Sequence, residues 1–201
     1  GIYEKVLTAG FESNANYSVT VLKGNFEIRT ATDANAELTL EGGSWIYDGK
    51  AHEAKAEVTG AEGYTIYYRV GNGSWTTEVP KVTNVIDGIK SVSVKAVKDG
   101  YTDLTADPET IQVTERELTI TVNDGFKFYD EDPIFTGDFD ESKLVNKDDL
   151  KTVVYVRDNK GVEDVGTYND VLNVAYTANS NYRVTVIKGD FIIQTATDKN
   201  A

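Results

Sequence analysis

His52 is the one histidine in the chain, set between Ala51 and Glu53. A metal site or a nucleophile–base pair built on it would need partners at fixed spacing, and the sequence displays none. No GxSxG elbow, HExxH, Walker loop or GxGxxG occurs, so the recognisable routes to nucleophilic, metal and phosphate chemistry are missing. Cysteine is absent, which removes disulfides, zinc–thiolate sites and thiol catalysis. Glycoside hydrolysis needs only two acids flanking a cleft, but with 33 Asp and Glu such pairs arise everywhere. The expectation is a non-enzymatic protein without a resident cofactor.

Two weaker chemistries remain. Carboxylates cluster at Asp130-Glu131-Asp132, at Asp138 with Asp140, and at Asp158 with Glu163-Asp164. These are oxygen ligands that a hard cation such as Ca²⁺ accepts. None follows the EF-hand order, and the competing reading is a set of solvated acidic loops. The second chemistry is stacking on a sugar ring, for which Trp75, Tyr67 and Asn72 form the candidate ligand patch beside the Gly71-Asn72-Gly73 turn. In a strand Tyr64-Thr65-Ile66-Tyr67-Tyr68-Arg69-Val70, side chains alternate between faces. Tyr64, Ile66, Tyr68 and Val70 then face a core, and Tyr67 and Arg69 face outward.

The elements that must position these residues are almost all strands. Ser18-Val19-Thr20-Val21, Ser91-Val92-Ser93-Val94-Lys95-Ala96, Leu118-Thr119-Ile120-Thr121-Val122 and Arg183-Val184-Thr185-Val186 are β-branched runs of period two, each with one polar face. Glycine and asparagine turns separate them, as in Lys23-Gly24-Asn25 and Lys188-Gly189-Asp190. One short helix is expected within 140–151, with Asp140 capping a turn that begins at Glu141 and Asn146 capping Lys147 to Leu150.

A repeat organises the chain. Residues 16–36, NYSVTVLKGNFEIRTATDANA, align without gaps to 181–201, NYRVTVIKGDFIIQTATDKNA, with 15 of 21 positions identical. The match continues upstream, pairing Tyr3 with Tyr168, Val6 with Val171 and Leu7 with Leu172. A weaker repeat of about 80 residues relates Glu37-Leu38-Thr39-Leu40 to Glu117-Leu118-Thr119-Ile120. The expected organisation is a C-terminal half-module at 1–36, a complete β module at 37–115, a second at 116–195 and the start of a linker at 196–201. The chain contains no Met and shows no charged-then-apolar leader, so it reads as an internal piece of a longer protein.

Twenty Lys and Arg against 33 Asp and Glu give a net charge of −13. A polyanion or an anionic bilayer repels such a surface, so neither nucleic acid nor membrane insertion is expected. No stretch approaches the roughly 18 consecutive apolar residues of a membrane helix.

Several motifs resemble the tandem MBG and YDG-type modules and bacterial Ig-like repeats of cell-surface proteins, especially of Gram-positive bacteria. In 116–195 they are Phe128-Tyr129-Asp130, Val165-Gly166-Thr167-Tyr168 and the closing Asn181-Tyr182-x-Val184-Thr185-x-x-x-Gly189-x-Phe191-x-Ile193. In 37–115, Ile46-Tyr47-Asp48-Gly49-Lys50 is similar to the YDG signature, and Tyr67 to Trp75 with Val94 to Tyr101 resemble the Ig-like repeats. The expected fold is mainly β: an immunoglobulin-like sandwich followed by a β-grasp-like module with one short helix. The resemblance implies an extracellular, cell-surface or wall-anchored protein in which such modules act as a spacer or adhesive stalk. Neighbouring modules are then the first partners, and a host glycan or protein bound through the aromatic loops of 37–115 is the alternative. An accessory domain of a carbohydrate-active enzyme is the third reading. Cut strand edges in 1–36 predict docking on the next module or a strand-swapped dimer.

Overall fold

The computed structural model describes residues 1–129, 131–146 and 149–196. It opens with an isolated antiparallel hairpin of β1 (Ile2–Leu7) and β2 (Gly24–Glu27).

The next unit contains β3 (Glu37–Glu41), β4 (Gly43–Ile46), β5 (His52–Glu53), β6 (Lys55–Thr59), β7 (Thr65–Val70), β8 (Lys81–Val82), β9 (Lys90–Val97), β10 (Leu104–Thr105) and β11 (Glu109–Thr114). The first run divides between two sheets. β3 pairs antiparallel with β6, whereas β4 pairs in parallel with the last strand β11. β9 is central to the larger sheet, with β7 on one edge and β10 and β11 on the other. Its alternation explains the packing: Val92, Val94 and Ala96 are buried, and the intervening Ser91, Ser93 and Lys95 are not. With Leu38, Tyr68, Val82, Ile111 and Val113 they form the core, each large apolar side chain contributing about 1.5–3 kcal/mol on burial. The unit is thus all β and built from several sheets, in keeping with the mainly β fold expected.

The third unit contains β12 (Arg116–Val122), β13 (Gly125–Phe128), β14 (Gly137–Phe139), β15 (Val154–Arg157), β16 (Gly166–Ala175), β17 (Tyr182–Ile187) and β18 (Gly189–Gln194). Its first and last runs lie side by side in parallel, β12 against β17 and β13 against β18. Both runs bend at the same level, after Val122 and after Ile187. Gly189 is required at that bend, because a Cβ there would lie 2.8 Å from the Val122 carbonyl oxygen and 2.7 Å from that of Asn123. β14 pairs antiparallel with β12, β16 with β18, and β15 with β16. Each of the two sheets thus carries a parallel pair at one end, with β17 or β13 as its edge strand. Leu118, Ile120, Leu172, Phe191 and Ile193 fill the unit's interior.

Two expectations need correction. The helix placed within 140–151 is a single 3₁₀ turn, Glu141–Lys143. Asp140 does cap it, its carboxylate accepting from Ser142 N at 3.0 Å, but the backbone extends again at Leu144, with ψ 130°. Val145 then donates its N–H to the Tyr182 hydroxyl at 2.7 Å instead of to a helical carbonyl. The expected cap at Asn146 is a turn in which Asn146 N reaches Asp149 Oδ2 at 3.0 Å; Lys147 and Asp148 lie outside the described residues.

The second correction concerns Ser18-Val19-Thr20-Val21, which forms no strand, although its counterpart Arg183-Val184-Thr185-Val186 is the middle of β17. β17 exists as half of a ladder with β12. Among the described residues 18–21 have no such neighbour, and alternation without a hydrogen-bonding partner does not make a strand.

Candidate functional site

The patch singled out from sequence is partly assembled. Thr76 bridges to Tyr68, N to O at 2.9 Å and O to N at 2.7 Å, and this folds Trp75 back along β7. The Arg69 guanidinium lies 4.7 Å and Lys95 Nζ 5.4 Å from the indole centroid, and Lys95 Nζ is 5.8 Å from the Tyr67 ring. Trp75 and Tyr67 thus share one ammonium on the outer face of the sheet. Trp75 is 37% exposed, while Asn72 sits at the exposed turn tip. Tyr68 is buried as its register demands; Val70, expected inward, is exposed where β7 ends at the turn. His52 belongs to a packing cluster, its ring stacked on Trp45 at 4.8 Å and its Nε2 2.9 Å from Asp48 Oδ1. The Lys50 N–H and then His52 hold the Asp48 carboxyl below its usual range.

The acidic candidates do not converge. Among the described residues no three His, Asp or Glu side chains come together in a geometry that could hold a metal ion. Asp140 caps the 3₁₀ turn. Asp158 accepts from Lys188 Nζ at 2.6 Å and from Asn173 Nδ2 at 3.0 Å, and these bonds lower its pKa. Asp138 lies in β14, close enough to raise the Tyr155 pKa after burial has done so. Asp164 offers its backbone oxygen to the Tyr168 hydroxyl at 2.7 Å. Asp132 lines a cavity of about 330 Å³. Asp130 lies outside the described residues. Beside that cavity the buried Lys127 and Arg157 both pair with Glu163, Arg157 Nη2 at 2.8 Å, and the two cations hold the Glu163 carboxyl below its usual range.

The most fully built polar site lies where the second and third units meet. Tyr47, of the YDG-like motif, extends the parallel ladder by donating its N–H to Thr114 O at 2.9 Å. Its buried ring meets the edge of the buried Tyr182 ring, centroids 5.6 Å apart at 78°. Arg116, the first residue of β12, ties both sides: its Nε donates to Tyr47 O at 2.8 Å and its N–H to Asn181 O at 2.9 Å. The buried Asn181 side chain reaches across, its Oδ1 accepting from Val85 N at 2.9 Å and its Nδ2 donating to Asn84 Oδ1 at 3.0 Å. Gly49 completes the fit. Its φ is +76°, and a Cβ there would lie 2.6 Å from Val145 Cγ1, so both backbone and contact call for glycine.

Tyr182 is the pivot. Its hydroxyl donates to Asp149 Oδ2 at 2.6 Å and accepts from Val145 N. Burial, reinforced by the Asp149 carboxylate, pushes its pKa up to about 12. Burial followed by Asp149 also raises the Tyr47 pKa. No residue of this joint was among the candidate site residues. The signal available was the repeated Asn-Tyr pair, 16–17 and 181–182, whose polar member could not be assigned a partner from one strand alone.

A lighter joint connects residues 30–36 to the sandwich. Ala31 bridges in parallel to Tyr101, with Ala31 N to Gly100 O at 2.8 Å and Thr102 N to Ala31 O at 3.0 Å. Lys98 Nζ lies 3.1 Å from Asp33 Oδ2 and 4.1 Å from the Tyr101 ring centroid. The hydrogen bond to Asp33 raises the Lys98 pKa. The TATDANA segment is therefore docked, while the hairpin before it leaves its apolar side chains exposed.

Residues 118–192 match the family model of the MBG domain (YGX type). The match covers the β-grasp-like unit and agrees with the resemblance carried by its motifs. No curated protein and no solved structure matches the chain.

Proposed function

We propose that this chain is a non-enzymatic spacer of an extracellular bacterial surface protein, in which unlike β modules are locked end to end so that the array keeps its reach. The observation that carries this reading is the joint of Tyr47, Arg116, Asn181 and Tyr182, which hydrogen-bonds and buries side chains from both modules. A flexible tether would leave those groups in water. The connection between β11 and β12 is the single residue Glu115, too short for independent tumbling. The match to a surface-type repeat domain supports the same setting.

Because the chain has no cysteine, spin labels can be placed singly. Labels at Glu57→Cys on β6 and Thr185→Cys on β17 are expected to give one narrow distance distribution that broadens in Asn181→Ala. A broad distribution in the parent chain would remove the spacer reading.

A second reading, an adhesive module for a host glycan or protein, is favoured by the sharing of Lys95 between the exposed Trp75 and the half-buried Tyr67. Its test is glycan-array and protein-ligand binding by the full chain, lost in Trp75→Ala with the fold retained. The absence of any ligand leaves the spacer reading alone.

A further inference from the structure

In both the second and the third unit, the run that enters lies parallel to the run that leaves. Gly43 to Ile46 pair with Ile111 to Thr114, and Arg116 to Thr121 pair with Tyr182 to Ile187. The third unit repeats the pairing beyond its bend, with Gly125 to Phe128 against Phe191 to Gln194. Tension along the chain draws the entering run toward its N-terminal end and the leaving run toward its C-terminal end. Because the two runs are parallel, the pulls oppose each other along the strand axis and shear the ladder between them.

Sheared and unzipped ladders fail differently. Unzipping frees one residue pair at a time, and each step releases roughly 6–7 Å of chain, one strand rise from each side. The load then meets a single pair over a long path. In shear every bond of the ladder carries load together, and all must yield within about one rise of 3.3 Å. The same bond energy over a shorter path means a larger force.

Two features stop the ladders from creeping into a neighbouring register. A slip of one residue turns β12 about and brings the buried Leu118, Ile120 and Val122 to the outer face. A slip of two restores the faces but meets a position that only glycine fills. In the third unit a Cβ at Gly189 would lie 2.8 Å from the Val122 carbonyl oxygen, and tension would draw Ile187 into that place. In the second unit a Cβ at Gly42 would collide with the Thr110 carbonyl oxygen, and tension would draw Ser44 into that place.

We infer that these two units are tension-bearing clamps, each built so that a stretching force along the chain must break its closing ladder at once. The inference rests on the spacer reading, and it adds load to reach as what the modules maintain.

The test pulls one unit in two directions. The chain has no cysteine, so handles can be attached at chosen pairs of sites in the full chain. Exposed handles at Glu117→Cys and Thr195→Cys load the third unit end to end. Handles at Glu117→Cys and Arg183→Cys, opposite each other near the start of the ladder, pull it open from one end. Single-molecule force measurement at equal pulling speed is expected to show one abrupt event in the first geometry, at several-fold the force of the second. Forced unfolding follows the unfolding rate and not the equilibrium stability, so the two chains should share one melting temperature and differ only under load. Glu41→Cys with Glu115→Cys, against Ser44→Cys with Gln112→Cys, repeats the comparison in the second unit. The inference is overturned if the two geometries yield at equal force in either unit, or if end loading peels strands away in small successive steps. Equal forces would leave the joint between the modules untouched. A broad spin-label distribution would remove the spacer reading and leave the force ratio standing, so the two fail separately.

Discussion

Truncating Asn181 tests the rigid joint at a single hydrogen. Val85 opens the 3₁₀ turn Val85–Asp87 of the sandwich, so its N–H has no acceptor within its own element. The acceptor is Asn181 Oδ1 of the neighbouring module, 2.9 Å away and 8% exposed as a residue. Asn181→Ala leaves that N–H unsatisfied in a partly buried joint, at a cost of about 1–3 kcal/mol. Local opening should therefore expose the Val85 amide about 5- to 150-fold more often, since about 1.4 kcal/mol is a factor of ten. Native-state hydrogen exchange on nitrogen-labelled chain reads this directly. Thr83 supplies an internal control, because its N–H bonds Asp87 Oδ2 at 2.6 Å within its own unit and should be unaffected. If Val85 exchanges at the unprotected rate in the parent chain, or equally slowly in both chains, the modules are not held by this contact and the argument for a locked joint fails.

Three other outcomes follow from the same geometry. Tyr182 has its pKa raised to about 12, so the stability it confers is fully present below the ordinary tyrosine value of about 10 and is lost as pH rises through about 12; an ultraviolet titration should show this late tyrosine, absent in Tyr182→Phe. Phe191→Ala removes a fully buried ring and should cost about 3–5 kcal/mol in urea unfolding, whereas the equivalent Phe26→Ala in the exposed hairpin should stay within about 0.5 kcal/mol; equal losses would contradict the assigned burial. Glu163→Gln leaves the buried Lys127 and Arg157 without their shared anion and should lower the melting temperature, with Lys127→Met restoring part of the loss. No recovery would mean the pair is not coupled through Glu163.

The strands and their faces were legible wherever a strand's partner lies within its own module. Val92, Val94 and Ala96 alternate inward as the sequence pattern requires, and so do Leu118, Ile120 and Val122. Trp75 and Tyr67 come together beside Lys95 because they flank one turn. What escaped was set by neighbours distant in sequence. Lys127 is buried between the more exposed Phe126 and Phe128, which inverts the usual reading of an aromatic-charged-aromatic run, because Glu163 from the loop before β16 waits on the inner side. The short helix was misjudged since helix signals at Asp140 and Glu141 are local, while the demand of Tyr182 for the Val145 N–H comes from far along the chain. The Tyr47–Tyr182 contact joins two modules, and no single-module periodicity could announce it.

The two copies of one sequence segment separate what a strand owes to its residues from what it owes to its neighbours. β1 and β2 persist because each is the other's ladder, with all the required groups inside residues 2–27. Ser18-Val19-Thr20-Val21 has the same β-branched alternation as its counterpart in β17, yet among the described residues it has no strand beside it, whereas β17 has β12. β propensity here is the capacity to fill a place that others define. The same logic applies one level up. Tyr182 is held by Asp149 and Val145 of its own module and by Tyr47 of the other, and Arg116 bonds to both sides. The contacts across the joint thus tie together the two unlike β units that the 165-residue period spans.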